Sequence, residues 1–252
     1  MTSSCDTPTT CPIAQCGKRG LGVFGRERKT SNERPMPMRI AVFALSITCL
    51  TAAPVLAQLV HTHQHSFGDA DKWSKIFDDP QRDAWQKPHE VIRALALKPD
   101  AVVADIGAGT GYFAMRLAHM LPQGRIYAVD TETAMLKHIA ERAKRANLPN
   151  VVAVEGSAND PRIPAKADLV LLVDVYHHIE NRERYFANLA AALKPGGRIA
   201  IVDFRLESTH GPPAAARVDP GRVKTEMSKA RYELTAEHGF LPYQYFLVFE
   251  RR

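Results

Sequence analysis

The stretch VVADIGAGTGY, residues 102–112, joins a run of apolar residues to an acid and then to three glycines at alternate positions. The apolar run has the length and composition of a buried β-strand, and a helical pattern begins at Tyr112. A glycine-rich turn between a strand and a helix lets a ligand approach the backbone closely and presents the amino end of the helix to it. The pattern therefore predicts a ligand site directly after the first strand of a sheet.

Apolar strand patterns and amphipathic helical patterns alternate along the chain after this turn. Such alternation predicts an α/β fold, a Rossmann-like, doubly wound and mostly parallel sheet with helices on both faces. Near the end, two β-rich segments joined by HGFLP, residues 238–242, predict a hairpin and therefore an antiparallel last strand. The predicted segments are strands 101–106, 125–130, 151–156, 167–175 and 198–204, and helices 112–120, 133–146, 182–193 and 220–230.

The amino-terminal part of the chain differs from the rest in charge and in cysteine content. The first 57 residues hold 7 Lys or Arg and 3 Asp or Glu, whereas the remainder holds 26 and 24. This nearly balanced remainder argues against nucleic-acid binding. All four cysteines, Cys5, Cys11, Cys16 and Cys49, also precede residue 58, which leaves residues 58–252 without thiol chemistry.

Residues 1–35 show no apolar period, and we interpret them as a disordered leader ahead of the natural start. Arg39 then precedes an apolar stretch that ends in VLA, residues 55–57, a pattern that signal peptidase accepts. Residues 36–57 are therefore predicted to be a secretory signal peptide, or alternatively an uncleaved membrane anchor. Either interpretation predicts an exported protein, periplasmic or held at the outer face of the inner membrane. A misread signal would leave it cytoplasmic.

Residues 58–68 are predicted to be a flexible tail that carries His61, His63 and His65. Alternate residues share one face of an extended strand, so these histidines are weak candidates for zinc or copper. A solvated tail is the alternative, and no metal is assigned to the protein. Residues 69–98 carry helical patterns and are predicted to form a helical cap ahead of a domain at 99–252.

The acid before the glycine turn distinguishes two classes of ligand. Asp105 precedes glycines spaced G-x-G-x-G, whereas the dinucleotide fingerprint is G-x-G-x-x-G. A carboxylate would repel a pyrophosphate but attracts the ammonium group of an amino acid. Asp130 ends the second strand, where a carboxylate can accept both ribose hydroxyls of a nucleoside. Together these residues indicate an adenosine attached to an amino acid, against the alternatives of a structural turn and a helix cap.

At this point the residues resemble the class I S-adenosylmethionine-dependent methyltransferases of the small-molecule type, from about residue 91 to the carboxyl terminus. The resemblance implies a seven-stranded sheet and S-adenosylmethionine as the cofactor. The matching motifs are DIGAGTG at 105–111, YAVD at 127–130, VDVYHHI at 173–179 and LKPGGRIAIVDF at 193–204.

The resemblance also implies a cofactor site distributed over several strand ends. Its predicted members are Asp105, Gly107, Ala108, Gly109, Gly111, Asp130, Thr131, Met135, Ser157, Ala158 and Asp174. The chain departs from the family at one position, where Gly-Asp-Ala becomes Gly156-Ser157-Ala158. A hydroxyl thus replaces the acid that would meet the adenine amino group, and Asn159 or Asp160 is the alternative partner.

Methyl transfer from a sulfonium depends mainly on orientation and needs no essential catalytic side chain. Tyr176, His177 and His178 follow the fourth strand, where an acceptor would meet the methyl group. Either histidine could act as a general base, and capping or packing of the next helix is the alternative. The acceptor is predicted to be a small molecule, with membrane contact only through residues 36–57.

Two other functions stay open at the level of sequence. One is an exported, non-catalytic ligand- or metal-binding protein on the same fold, which the histidine-containing tail favours. The other is a nicotinamide-dependent dehydrogenase, which the glycine spacing and Asp105 disfavour. The patterns leave the oligomeric state open.

Overall fold

The structure is a computed structural model, and it describes residues 69–252. The predicted leader, signal peptide or anchor, and histidine-containing tail lie outside the described residues. Within residues 69–252, no helix combines the length and the apolar character needed to cross a membrane. The same residues contain no cluster of three or more His, Cys, Asp or Glu side chains placed to hold a metal ion.

Seven strands form one sheet in the order β3-β2-β1-β4-β5-β7-β6. The first five strands run parallel, and β7 runs antiparallel to both of its neighbours, which confirms the predicted fold class and hairpin. The strands are β1 Val102–Ile106, β2 Arg125–Asp130, β3 Val151–Glu155, β4 Ala167–Val173, β5 Leu193–Phe204, β6 Tyr232–His238 and β7 Gln244–Arg251.

Seven helices flank or precede the sheet. Pro88 stands in the first turn of α3, where its missing amide hydrogen costs nothing. Asp219 caps α7 by accepting hydrogen bonds from the amides of Gly221 and Arg222. The helices are α1 Ala70–Phe77, α2 Gln81–Gln86, α3 Pro88–Ala94, α4 Tyr112–Met120, α5 Thr133–Arg145, α6 Arg182–Leu189 and α7 Pro220–Lys229.

Both faces of the central strands β1, β4, β5 and β7 are largely buried, which explains why these strands are continuous apolar runs in the sequence. Along β5, Ala200 and Val202 join the core beneath α3 and α4, whereas Ile199 and Ile201 join the core beneath α6 and α7. All four side chains are fully buried. Because β1 to β5 run parallel, their carboxyl ends lie at one edge of the sheet, where polar groups can contact a ligand.

The structure corrects two predicted boundaries. The helix predicted at 182–193 ends at Leu189 and continues as a single 3₁₀ turn, and β5 begins at Leu193 rather than at residue 198. Ala167 pairs with Leu193 and Leu169 with Arg198, so the intervening β5 residues bulge out of the ladder. This bulge contains the sequence Pro195-Gly196-Gly197, with Gly196 at φ +73°.

Candidate functional site

The glycine turn lies between β1 and α4, as the sequence predicts. Gly107, Gly109 and Gly111 all have positive φ, at 67°, 56° and 84°, so the turn has a backbone that other residues seldom adopt. The amide of Ala108 donates to the carbonyl of Val129 at 3.0 Å, which ties the turn to β2. The turn therefore places a hydrogen-bonded backbone segment at the amino end of α4, with Gly107 exposed and Gly109 partly exposed.

Asp105 is a buried and incompletely paired acid. Its residue is 3% exposed, and Oδ2 has no hydrogen-bond partner within the described part of the chain. Burial, together with the charge of the neighbouring Asp130, raises the pKa of the carboxyl group to about 7. An orphaned buried oxygen beside the glycine turn fits a cationic ligand group, because such a group would compensate the carboxylate.

Asp130 braces the same turn from the end of β2. Its Oδ2 accepts from the amide of Gly109 at 2.8 Å, and its Oδ1 accepts from the amide of Glu132 at 3.0 Å. Burial raises the pKa of this carboxyl group, and the two amide hydrogen bonds oppose the increase. Each carboxylate oxygen of Asp130 has a second lone pair. Hydrogen bonds from ribose hydroxyls to Asp130 stay a prediction that this geometry allows.

Asp174 lies just after β4 with φ +60° and is surrounded by donors. Its carboxylate accepts from Arg82 at 3.2 Å, from Gln86 at 3.0 Å and from Nε2 of Gln244. Burial raises the pKa of Asp174 to about 6, although the charge of Arg82 lowers it. The sequence analysis missed all three donors. Gln244 alone carried a signal, since an amide flanked by aromatic residues in an apolar strand needs a buried partner.

His177 forms a buried pair with Asp203, which the sequence analysis also missed. Nδ1 of His177 lies 3.0 Å from both carboxylate oxygens, and the His177 amide donates to Oδ2 at 3.2 Å. The amide of Phe204 donates to Oδ1 at 2.8 Å, so the carboxylate is held in place. A carboxylate facing Nδ1 favours the proton on that nitrogen, which leaves Nε2 as a proton acceptor. The ring of His178 lies 4.0 Å from that of His177.

Tyr176 does not face the site, and the structure corrects its proposed catalytic role. The residue is fully buried, its hydroxyl donates to Glu226 at 2.7 Å, and its ring stacks on Phe186 at 5.5 Å. The 3₁₀ turn that contains Tyr176 and the two histidines directs the tyrosine into the core beneath α6 and α7. Tyr176 therefore anchors the loop that carries His177.

The predicted adenine end is less enclosed. Met135 is fully buried, whereas Ala158 and Thr131 are exposed. The hydroxyl of Ser157 donates to the carbonyl of Asp160 at 3.1 Å, and the two residues form a local bridge. Contacts of these residues with an adenine ring stay a prediction.

Four aromatic rings meet beside the ends of β5 and β7. His210 stacks on Tyr243 at 3.9 Å, and Trp85 of α2 lies 5.6 Å from His210, 5.9 Å from Phe204 and 6.1 Å from Tyr243. Trp85 thus contacts the loop after β5 from the helical cap. These rings form an aromatic wall next to the His177 loop.

Arg217 fixes the loop that carries His210. Its guanidinium lies within hydrogen-bonding distance of five backbone carbonyls, at 2.6 to 3.4 Å. One side chain thereby holds a segment that has no regular secondary structure of its own. The carbonyls belong to Arg205, Leu206, Ser208, His210 and Pro212.

Comparison with known proteins bears on this geometry. Residues 104–199 match the family described as "Methyltransferase domain". The chain is 30% identical over 133 residues to trans-aconitate 2-methyltransferase of Rhodopseudomonas palustris, covering 53% of this chain and 48% of that protein. It is 33% identical over 140 residues to demethylspheroidene O-methyltransferase of Rhodobacter capsulatus, covering 55% and 33%. The chain thus spans about half or less of the length of these relatives.

The fold matches solved methyltransferases as well. A crystal structure of a SAM-dependent methyltransferase from Aquifex aeolicus aligns with a TM-score of 0.66 at 24% identity, covering 72% of this chain and 97% of that one. This likeness concerns the fold, whereas the family match covers the glycine turn, Asp130, Asp174 and His177. The site geometry and the family match agree: residues 104–199 match a methyltransferase domain, and the fold is similar to that of a SAM-dependent methyltransferase.

Proposed function

We propose that the protein transfers the methyl group of S-adenosylmethionine to a small-molecule acceptor. The observation that carries this proposal is Asp105, a buried carboxyl group with an orphaned oxygen beside a glycine turn. Such a group suits the ammonium of the amino-acid end of S-adenosylmethionine and would repel a pyrophosphate. The names of the relatives support a small acceptor, because they refer to trans-aconitate and to demethylspheroidene.

The bound cofactor supplies a methyl group that is already activated by its sulfonium sulfur. Transfer would join that methyl carbon to a lone pair of the acceptor and would leave the electrons of the C–S bond on sulfur. We infer that Nε2 of His177 takes the acceptor proton, since Asp203 holds the proton-bearing Nδ1. This assignment favours an acceptor atom that carries a proton, such as a hydroxyl or an amine.

Calorimetric titration of the full-length chain with S-adenosylmethionine tests the proposal. Micromolar binding is expected for the wild type, and Asp105→Asn should weaken it because the carboxylate partner of the ammonium is lost. Asp100→Asn, at an exposed acid, is the matched control and should bind normally. A folded wild-type chain that binds NADH instead of S-adenosylmethionine would contradict the proposal.

The pH dependence of binding gives a second test of the same site. Because the pKa of Asp105 is about 7, its carboxyl group loses its charge as the pH falls from 8 to 6. Affinity for the cationic cofactor should fall more steeply over that range in the wild type than in Asp105→Asn, where Asp174, with a pKa of about 6, is the carboxyl group that still loses charge. Equal slopes for both proteins would show that Asp105 does not meet the ammonium group.

We also propose that the protein is exported through residues 36–57. The basic residue, apolar stretch and small-residue site in that segment support this location. Fusion of residues 38–60 to a compartment-sensitive reporter tests it, and a cytoplasmic signal would contradict export. The weak metal candidates His61, His63 and His65 are tested by zinc titration of the same full-length chain.

A further inference from the structure

Three ion pairs join the helical cap to the methyltransferase domain around the glycine turn. Asp78 pairs with Arg142 of α5 at 2.7 Å, and Asp83 pairs with Arg116 of α4 at 2.9 Å. The third pair has the opposite polarity, because here the cap contributes the cation, Arg82. The ring of Phe77 also covers the turn, since a Cβ on Gly109 would lie 3.4 Å from it.

Arg82 is held rigidly by its own surroundings. Its side chain is 14% exposed, and Nη1 donates to the carbonyl of Phe77 at 2.8 Å. Nε donates to the side-chain oxygen of Gln86, and the guanidinium lies 4.2 Å from the centre of the Tyr112 ring. These contacts leave Nη2 directed at Asp174, at 3.2 Å. The guanidinium is therefore placed by the cap at the carboxyl end of β4.

The charges around Arg82 are complementary to an α-amino acid. Asp105 has an orphaned carboxylate oxygen, and Arg82 is near enough to lower its pKa electrostatically. Asp174 lies on the other side, within hydrogen-bonding distance of the guanidinium. A zwitterionic group could place its ammonium between the two carboxylates and its own carboxylate on the guanidinium. Arg116 and Arg142 are instead paired with Asp83 and Asp78.

We propose that Arg82 is a cofactor-binding residue that holds the α-carboxylate of the methionine end of S-adenosylmethionine. This role rests on the proposed function. It makes the helical cap part of the cofactor site, although the cap precedes residues 104–199 that match the family. Binding then exchanges the internal Arg82–Asp174 pair for two pairs with the ligand, one through each of its charges.

Two unreactive probes separate the carboxylate from the rest of the cofactor. S-adenosylhomocysteine keeps both the ammonium and the carboxylate, whereas its decarboxylated analogue, the 3-aminopropyl thioether of adenosine, lacks only the carboxylate. Calorimetric titrations of the full-length wild type, Arg82→Gln and Arg82→Lys with both probes measure the contribution of that one group. Arg142→Gln is the matched control, because it removes a cap–domain ion pair whose partners are Asp78 and the carbonyl of Thr110 rather than Asp105 or Asp174.

Arg82→Gln should weaken S-adenosylhomocysteine about 10- to 100-fold, as expected for losing a charged hydrogen bond. The decarboxylated analogue should bind Arg82→Gln as tightly as the wild type or more tightly, because Asp174 is released for its ammonium. Arg82→Lys should retain part of the affinity, and Arg142→Gln should not distinguish the two probes.

Equal weakening of both probes by Arg82→Gln would overturn the proposal, because it would show a packing role for the cap. Unchanged binding of S-adenosylhomocysteine by Arg82→Gln would overturn it as well. A folded wild-type chain that binds neither probe would contradict the proposed function itself, and this role of Arg82 with it.

Discussion

Replacement of Asp105 by asparagine should stabilise the ligand-free protein at pH 8 and lose this effect as the pH falls. Asp105 is buried with one orphaned oxygen, and burial raises its pKa from the ordinary 3.8 to about 7. A carboxyl group with a higher pKa in the folded chain favours folding when it is protonated. Its contribution is fully present below pH 3.8 and is lost as the pH rises through about 7.

The size of the effect follows from these two pKa values. The whole difference corresponds to about 4 kcal/mol of unfolding free energy, at about 1.4 kcal/mol for each pH unit. About 2.5 kcal/mol of it falls between pH 5 and pH 8. The asparagine amide would leave N–H groups short of partners in the same place, at a pH-independent cost of about 1–3 kcal/mol. The free energy of unfolding of Asp105→Asn should therefore exceed that of the wild type by about 1–3 kcal/mol at pH 8 and should be about equal to it at pH 5.

Urea unfolding of the full-length wild type and Asp105→Asn at pH 5, 6, 7 and 8, without cofactor, measures this difference. Asp100→Asn is the control, since Asp100 is exposed, and its stability should follow the wild type at every pH. Parallel stability curves for wild type and Asp105→Asn would refute the reasoning, because they would show that burial does not penalise the charged carboxylate. A stabilised variant that also binds S-adenosylmethionine poorly would show that Asp105 exchanges stability for ligand binding.

Three further changes test the loops around the site. Gly211→Ala should destabilise the fold by about 1–3 kcal/mol in urea unfolding, because Gly211 has φ +87° and its new Cβ would lie 2.6 Å from the Phe204 ring. Gly239→Ala has open space and should be neutral, so equal effects would contradict this strain. Arg217→Ala should speed proteolysis within residues 205–212, since five carbonyls lose the hydrogen bonds from Arg217. Exposed Arg222→Ala is its control, and identical cleavage rates would show that the loop holds its own shape. Tyr176→Phe should cost about 1 kcal/mol of stability through the lost Glu226 hydrogen bond and leave S-adenosylhomocysteine affinity unchanged. A large loss of affinity in a folded Tyr176→Phe would return that residue to the site.

The features that the sequence predicted correctly are local ones. Alternating strand and helix patterns depend on a period of a few residues, so they identified the parallel sheet and the terminal hairpin without any contact information. The glycine turn and Asp105 are also consecutive in the chain, and their chemistry follows from backbone geometry alone. The start of β5 was predicted five residues too late because Leu193 pairs with Ala167 ahead of a bulge, and the sequence does not show that pairing.

Orientation within a turn was beyond the sequence. Tyr176, His177 and His178 are adjacent in the chain, and the sequence analysis gave all three as candidate catalytic residues. Packing beneath α6 and α7 buries Tyr176, whereas His177 pairs with Asp203 at the end of β5. Which side chain faces the site thus depended on partners from other elements.

The sequence by itself determined where the glycine turn lies and that Asp105 stands beside it. Only the tertiary structure decided which groups surround Asp174, because its three donors are 92, 88 and 70 residues away in the chain. The helical cap brings Arg82 and Gln86, and the antiparallel placement of β7 beside β5 brings Gln244. No periodicity relates residues at such separations. The strand order brings these residues together. A buried carboxylate at that edge of the sheet needs hydrogen-bond donors, and the elements that pack against it supply them.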